Sequence, residues 1–463
     1  MTVETSPTPY TPTLNLPPDA PSDEFLNQLL RQSEQQKVNI HTEISGWLQE
    51  LRQRSAYDVT KQRMPSRKDE EWRFTDISEL LGLTFQLPQS GELTKNAIAP
   101  LTLPEAKQTR IVFVNGIFAP NLSDTSGLPE GVYAGNLSNL PLDNCYEAIK
   151  YIAYQDGDKE LFTALNSTGF PDVAVIWANP NVIVETPIHL LFISTVEEQP
   201  SFTQPRGLVI AEQGASLQVV EHFAVASDNQ CSDIPKNRPY FNNNVTEVFI
   251  KENARVNHTR NQRESGDGFH IGKTAVSQEK HSHYTCNAIT LGGKLSRHNL
   301  HIWQKGESTE TYLNGLTLIG REQLADTHSA LYLQYPHGVT DQLHKCVVDD
   351  QAHSVFNGKV HVPQAAQLTN AGQLNRNLLL SPKARVNTKP ELQITADNVK
   401  CTHGATVSQI SADELFYLQS RGINAENARN LLLDAFAGEI LERLPVASLQ
   451  KVLAQCVACR TYE

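Results

Sequence analysis

Between residues 200 and 400 the chain carries hardly any helical period; short β-rich runs follow one another instead. They fall at 208–210, 217–223, 245–250, 254–260, 295–302, 316–319, 344–348 and 386–388. Turn signals of one kind separate many of them: Gln213-Gly214-Ala215, Glu252-Asn253-Ala254, Gly292-Gly293-Lys294, Asn357-Gly358-Lys359 and Pro382-Lys383-Ala384. Gly214, Asn253 and Gly292 are spaced 39 apart each time, without a strict residue-by-residue repeat. A sandwich or barrel would alternate more cleanly between apolar and polar positions. A β-solenoid needs only similar rungs stacked on one another, each tolerating its own turn. Gln364, Gln367, Gln373, Asn375 and Asn377 suit ladders between such rungs at turns. The pattern admits a β-solenoid over about 200–400 beside an ordinary β-sandwich.

Helical patterns flank this region. Ser22 can cap a helix whose apolar face is Phe25, Leu26, Leu29 and Leu30, and Ile44, Trp47, Leu48 and Leu51 repeat the spacing. Asn115-Gly116, between Ile111–Val114 and Ile117-Phe118, predicts a two-residue hairpin turn. Residues 145–170 read as helical, and 173–178 and 182–185 as short strands. Near the end, Ser411-Ala412-Asp413-Glu414 is a capping box, and Gly422 closes the helix that it opens. Asn424 caps a second helix with Ala428, Leu431, Leu432, Ala435 and Phe436 on one face, and Pro445 opens a third. The expected division is a disordered tail over 1–21, a mixed helical unit over 22–165, the β region over 166–405 and a helical unit over 406–463.

A formal charge of −12 disfavours nucleic acid and anionic membranes, and no basic patch offsets it. No apolar run reaches the roughly 20 residues that a membrane span needs. The first 21 residues hold six prolines and no lysine or arginine, unlike a secretory or transit peptide, so a cytoplasmic location is expected. The seven cysteines (Cys145, Cys231, Cys286, Cys346, Cys401, Cys456 and Cys459) are odd in number and scattered, which argues for reduced thiols.

Thirteen of the fifteen histidines lie between His222 and His403. His281, His283 and Cys286 sit close together, as do His298 and His301, which raises metal binding against the simpler reading of polar strand residues. Cys456-Val457-Ala458-Cys459 is a lone C-x-x-C. Cys401-Thr402-His403-Gly404 is the third candidate, set against the simpler reading of a buried cysteine beside a structural histidine. On a strand the Cys401 sulfur and the His403 imidazole leave on one side, and both ligate iron. Two ligands make half a cluster site, so another chain or solvent must supply the rest. The chain has no G-x-x-x-x-G-K-[ST] phosphate loop, no G-x-S-x-G, no H-E-x-x-H and no G-x-G-x-x-G, and nothing that would run chemistry unaided.

Residues 350–423 resemble the shared core of the SufB/SufD family. The stretches that carry the likeness are Ser354-Val355-Phe356-Asn357-Gly358-Lys359-Val360, Gln373-Leu374-Asn375-Arg376-Asn377-Leu378-Leu379-Leu380-Ser381 and Lys389-Pro390-Glu391-Leu392. Val399-Lys400-Cys401-Thr402-His403-Gly404-Ala405-Thr406-Val407 and Leu415-Phe416-Tyr417-Leu418-Gln419-Ser420-Arg421-Gly422-Ile423 complete it. Cys401-Thr402-His403-Gly404-Ala405-Thr406 looks like the SufD form; the SufB form is acidic there and carries a cysteine where this chain has Leu418. The resemblance implies a right-handed parallel β-helix flanked by N- and C-terminal helical regions. It implies a non-enzymatic scaffold that pairs with SufB and docks the ATPase SufC through its C-terminal helices, with a transient iron–sulfur cluster at the SufB interface. His403 matches the residue implicated there, with Cys401 beside it. A homodimer joining two His403 faces, or a polysaccharide lyase or esterase on the same fold, are the competing expectations.

Overall fold

The computed structural model describes residues 8–10, 23–89, 93–154, 157, 159–226 and 235–459. Its centre is a parallel β-helix of about eight coils, running from Ala174–Ala178 and Ile188–Ser194 to Arg385–Ile394 and Lys400–Gln409. Each coil gives one strand to each of two 10-stranded sheets, and strands of successive coils pair in parallel. Sheet I ends on Lys400–Gln409 and sheet II on Arg385–Ile394.

Both faces of sheet I are covered, which explains why its strands read as mixed rather than alternating. Leu190, Val219, Val256, Cys286, Leu313 and Ala371 face the interior of the solenoid. The alternate positions Val220, Ile289, Leu316, Leu343 and Leu378 form a second cluster, with the C-terminal helices.

The corners are built on a backbone ladder. Asn181, Gly214, Asn253, His281, Ser308, His337 and Leu368 all have positive φ, between 56° and 70°. Each donates its N–H to a carbonyl in the next coil, for example Gly214 to Glu252, Asn253 to Lys280, His281 to Glu307 and Leu368 to Asn398. The even spacing of Gly214, Asn253 and Gly292 therefore misleads. Gly214 and Asn253 are equivalent corners, but the next in line is His281, and Gly292 closes a different corner. Asn357-Gly358 is no turn either; it lies inside the strand His353–Val362. A Cβ at Gly358 would come within 2.2 Å of Gln373 Nε2, so close approach and not chain reversal requires the glycine.

On the N-terminal side, helices α1 (Glu24–Gln35), α2 (Ser45–Thr60) and α3 (Leu161–Gly169) pack beside sheet II. Phe25, Leu29 and Leu30 meet Trp72, Phe162, Phe202 and Phe241 there. The α1 cap is Asp23, whose Oδ1 accepts from Leu26 N at 3.1 Å. Ser22, the expected cap, lies outside the described residues, as does most of the 1–21 tail. Thr8–Tyr10 departs from the disorder expected of that tail, because Val38–Ile40 offers an open edge with which it pairs antiparallel. The Asn115-Gly116 hairpin forms as expected, both residues having positive φ. The helical reading of 145–170 resolves into Leu142–Ala148 and α3, with turns between, and 182–185 makes an isolated bridge, Ile183 to Ser216, rather than a strand.

At the other end stand α4 (Ala412–Ser420), α5 (Ala425–Leu441) and α6 (Ala447–Cys459). Ser411 and Asn424 cap α4 and α5 as the sequence suggests. The buried face of α5 is Ala428, Leu433, Ala437, Ile440 and Leu441; of the expected face Ala428 is buried and Phe436 packs beside it, while Leu431 is 49% exposed. Sheet I selects this face, on which Leu433, Ala437 and Ile440 meet Leu316, Leu343 and Leu378. Among the described residues no helix is long and apolar enough to cross a membrane.

Candidate functional site

At the last coil the solenoid interior comes to the surface, with the partly buried Cys401 packed against it. Cys401 pairs in register with Ala371, and His403 with Gln373, on strands Lys400–Gln409 and Asn370–Leu379. Residues 401 and 403 share the inner face, because side chains alternate along a strand. Cys401 is half-buried against the interior cluster, and His403 is exposed. Among the described residues no strand pairs with the outer edge of Lys400–Gln409 or of Arg385–Ile394. Burial holds the Cys401 thiol above its ordinary range. A thiolate ligand at this position therefore needs a metal ion or a positive group brought to it.

Behind this mouth the interior is unusually polar. His258 Nε2 lies 3.2 Å from Glu221 Oε2, and His258 Nδ1 lies 3.0 Å from the Tyr284 hydroxyl. His270 Nδ1 lies 2.6 Å from Glu264 Oε2. Thr274 Oγ1 meets His298 Nε2 at 3.0 Å, and Thr317 Oγ1 meets His344 Nε2 at 3.0 Å. Burial lowers His344 to about 4 and raises the Cys286 and Cys346 thiols to about 12 and about 11. The His344 imidazole and the Cys286 and Cys346 thiols are held neutral in the core.

The other metal candidates come apart. His281 sits at an exposed corner, and His283 points outward beside Glu310, 3.2 Å from its Oε2. Cys286 points into the solenoid. His298 and His301 are three apart on one strand and so take opposite faces: His298 reaches Thr274 inside, while His301 contacts Trp303 and Tyr332. Among the described residues no group of three or more His, Cys, Asp or Glu side chains could hold a metal ion. Cys456 is half-buried on α6 against the sheet I cluster. Cys231 and the Cys459 side chain lie outside the described residues.

Two features were not assigned from the sequence. Helix α4 has no buried residue, and Phe416 and Tyr417 are 72% and 58% exposed. Gln373, beneath His403, was read only as a ladder residue at a turn; it lies within a strand, and its spacing of about one rung from His403 was the available signal.

The family model described as "SUF system FeS cluster assembly, SufBD core domain" matches residues 192–436, and that of the "SufBD protein N-terminal region" matches residues 24–190. The chain belongs to the SufBD family. An iron–sulfur cluster assembly SufBD family protein of Synechocystis is 52% identical over 399 residues, covering 86% of this chain and 88% of that one. Protein ABCI7, chloroplastic, of Arabidopsis thaliana is 39% identical over 432 residues, covering 92% and 88%. The iron–sulfur cluster assembly protein SufD of Escherichia coli is 30% identical over 412 residues, covering 85% and 88%. The SufBD resemblance read from residues 350–423 is thus borne out, and the SUF system of iron–sulfur cluster assembly is where this chain works.

Proposed function

We propose that this chain is a non-catalytic scaffold subunit of the SUF assembly complex. It pairs with SufB through its last coil, and a nascent iron–sulfur cluster forms at that interface as cargo. Cys401 and His403 supply part of the coordination and SufB the remainder. A site completed by two chains releases its cargo when they separate, which suits assembly better than storage. The observation that carries this reading is the uncovered inner rung: an exposed imidazole and a half-buried thiol on one face of a strand whose outer edge has no pairing strand among the described residues. An open edge is a ready template for another chain.

The ATPase SufC docks on the C-terminal helices in this reading, and the uncovered α4 supports it. The sequence has no phosphate loop, so nucleotide hydrolysis falls to that partner. The reading places the SUF complex in the cytoplasm. The test is the assembled complex carrying His403→Ala: the complex forms, and cluster build-up falls at least tenfold. Wild-type cluster yield would remove the site assignment. Native mass measurement with SufB present distinguishes the heterodimer from a pair of identical chains, which would meet at the same edge.

A further inference from the structure

We infer that Gln373 is a positioning residue for His403, its side-chain carbonyl accepting an N–H from the imidazole and so fixing which ring nitrogen faces the metal. The inference rests on the reading of His403 as a ligand and deepens it.

Gln373 is 4% exposed and lies in direct register beneath His403, one rung into the solenoid. Paired positions on neighbouring strands are about 4.8 Å apart, and their side chains share a face. The amide of Gln373 is held from behind. Its Nε2 donates to Gln342 Oε1 at 2.9 Å, one rung deeper, and Gln342 Nε2 donates to Ser329 Oγ at 2.9 Å. Gly358 clears the space, because a Cβ there would come within 2.2 Å of Gln373 Nε2.

With its nitrogen committed to the rung behind, the amide has its oxygen left over for another donor. That atom, Gln373 Oε1, is buried and has no hydrogen-bond partner among the described residues. A buried carbonyl left unpaired is costly, so a donor is wanted. The residue in register in the rung in front is His403. A ligating imidazole generally gives its second N–H to a carbonyl or carboxylate, which sets the tautomer and steadies the ring. The Ser329–Gln342–Gln373 chain supplies that acceptor from the interior, leaving the other ring nitrogen free toward the mouth.

The test uses the full-length chain labelled with 15N-histidine at about pH 8, above the ordinary imidazole range, with the His403 resonances assigned by their loss in His403→Asn. Wild type is expected to show one dominant tautomer. Gln373→Leu should relax it to the mixture of a free imidazole, and Gln373→Glu, which keeps an acceptor oxygen, should restore a single form. Gly358→Ala displaces the amide and serves as the second variant should Gln373→Leu fail to fold. In the assembled complex the leucine variant should bind ferrous ion about tenfold more weakly or worse, with recovery in the glutamate variant. An identical tautomer ratio in wild type and in Gln373→Leu or Gly358→Ala would overturn the inference. Its failure is separable from that of the functional reading. A normal cluster yield in His403→Ala removes the metal site and leaves the tautomer result standing; an unaltered tautomer beside an inactive His403→Ala removes Gln373 alone.

Discussion

Replacing Phe416 by alanine should leave the isolated chain as stable as before and weaken the SufC docking proposed for α4. Phe416 sits on α4, none of whose residues is buried, and its own side chain is 72% exposed. The fold therefore gains almost nothing from this ring. Burying a whole phenylalanine contributes about 1.5–3 kcal/mol, so covering the exposed share contributes about 2 kcal/mol to a partner. That is about 30-fold in affinity. Thermal unfolding of the isolated variant, followed by titration of SufC against it, reads both numbers. A melting temperature lowered by several degrees would mean that α4 packs on its own chain. Unchanged SufC affinity would mean that the partner docks elsewhere. Either result refutes the reasoning.

Two further predictions concern the body of the protein. Asp326 has a fully buried side chain; it pairs with Arg297, lies 2.9 Å from His328 Nε2 and accepts from Thr75 Oγ1 at 2.6 Å. Asp326→Ala leaves the buried Arg297 guanidinium without its carboxylate and frees the segment around Trp72, over which Arg297 stacks at 4.0 Å, so urea unfolding should show a loss of about 3–5 kcal/mol; a loss below about 1 kcal/mol would contradict it. Burial pushes the Asp172 carboxyl up to about 7, against hydrogen bonds from Asn136 and Val173. Between the ordinary aspartate range, about 4, and about 7 the folded chain keeps a proton that the unfolded chain has released, so stability declines as pH rises through that window. Asp172→Asn should flatten this slope relative to wild type in denaturant midpoints across the same range; parallel slopes would contradict it.

What the sequence revealed and what it hid follow from the geometry of a solenoid. Local signals survived: the Ser411 and Asn424 caps and the Asn115-Gly116 hairpin each depend on a few neighbouring residues. The β-helix was legible as a texture and through the family likeness, but not as a repeat. Its corners accept His281, Ser308, His337 or Leu368 where a glycine would have announced the turn. Its interior glycines are set by contacts a rung or more away: Gly358 by Gln373, and Gly315 by His344, whose Nδ1 a Cβ would approach to 1.9 Å. The histidine groupings looked like metal sites because they are close in sequence, whereas strand alternation sends their members to opposite faces. Cys401 and His403 were readable because i and i+2 share a face, and their exposure followed from which coil is last. Gln373 was not read as a site residue, since its one-rung spacing from His403 carries meaning only once the register places it beneath the imidazole.

Hydrogen–deuterium exchange along Lys400–Gln409, in the free chain and in the complex with SufB, bears most directly on the shared interface. The outward N–H groups of this strand should exchange freely in the free chain and become strongly protected in the complex, together with those of Arg385–Ile394. Equal exchange in both states would mean that no chain covers the mouth, and Cys401 and His403 would then have no partner to complete their coordination.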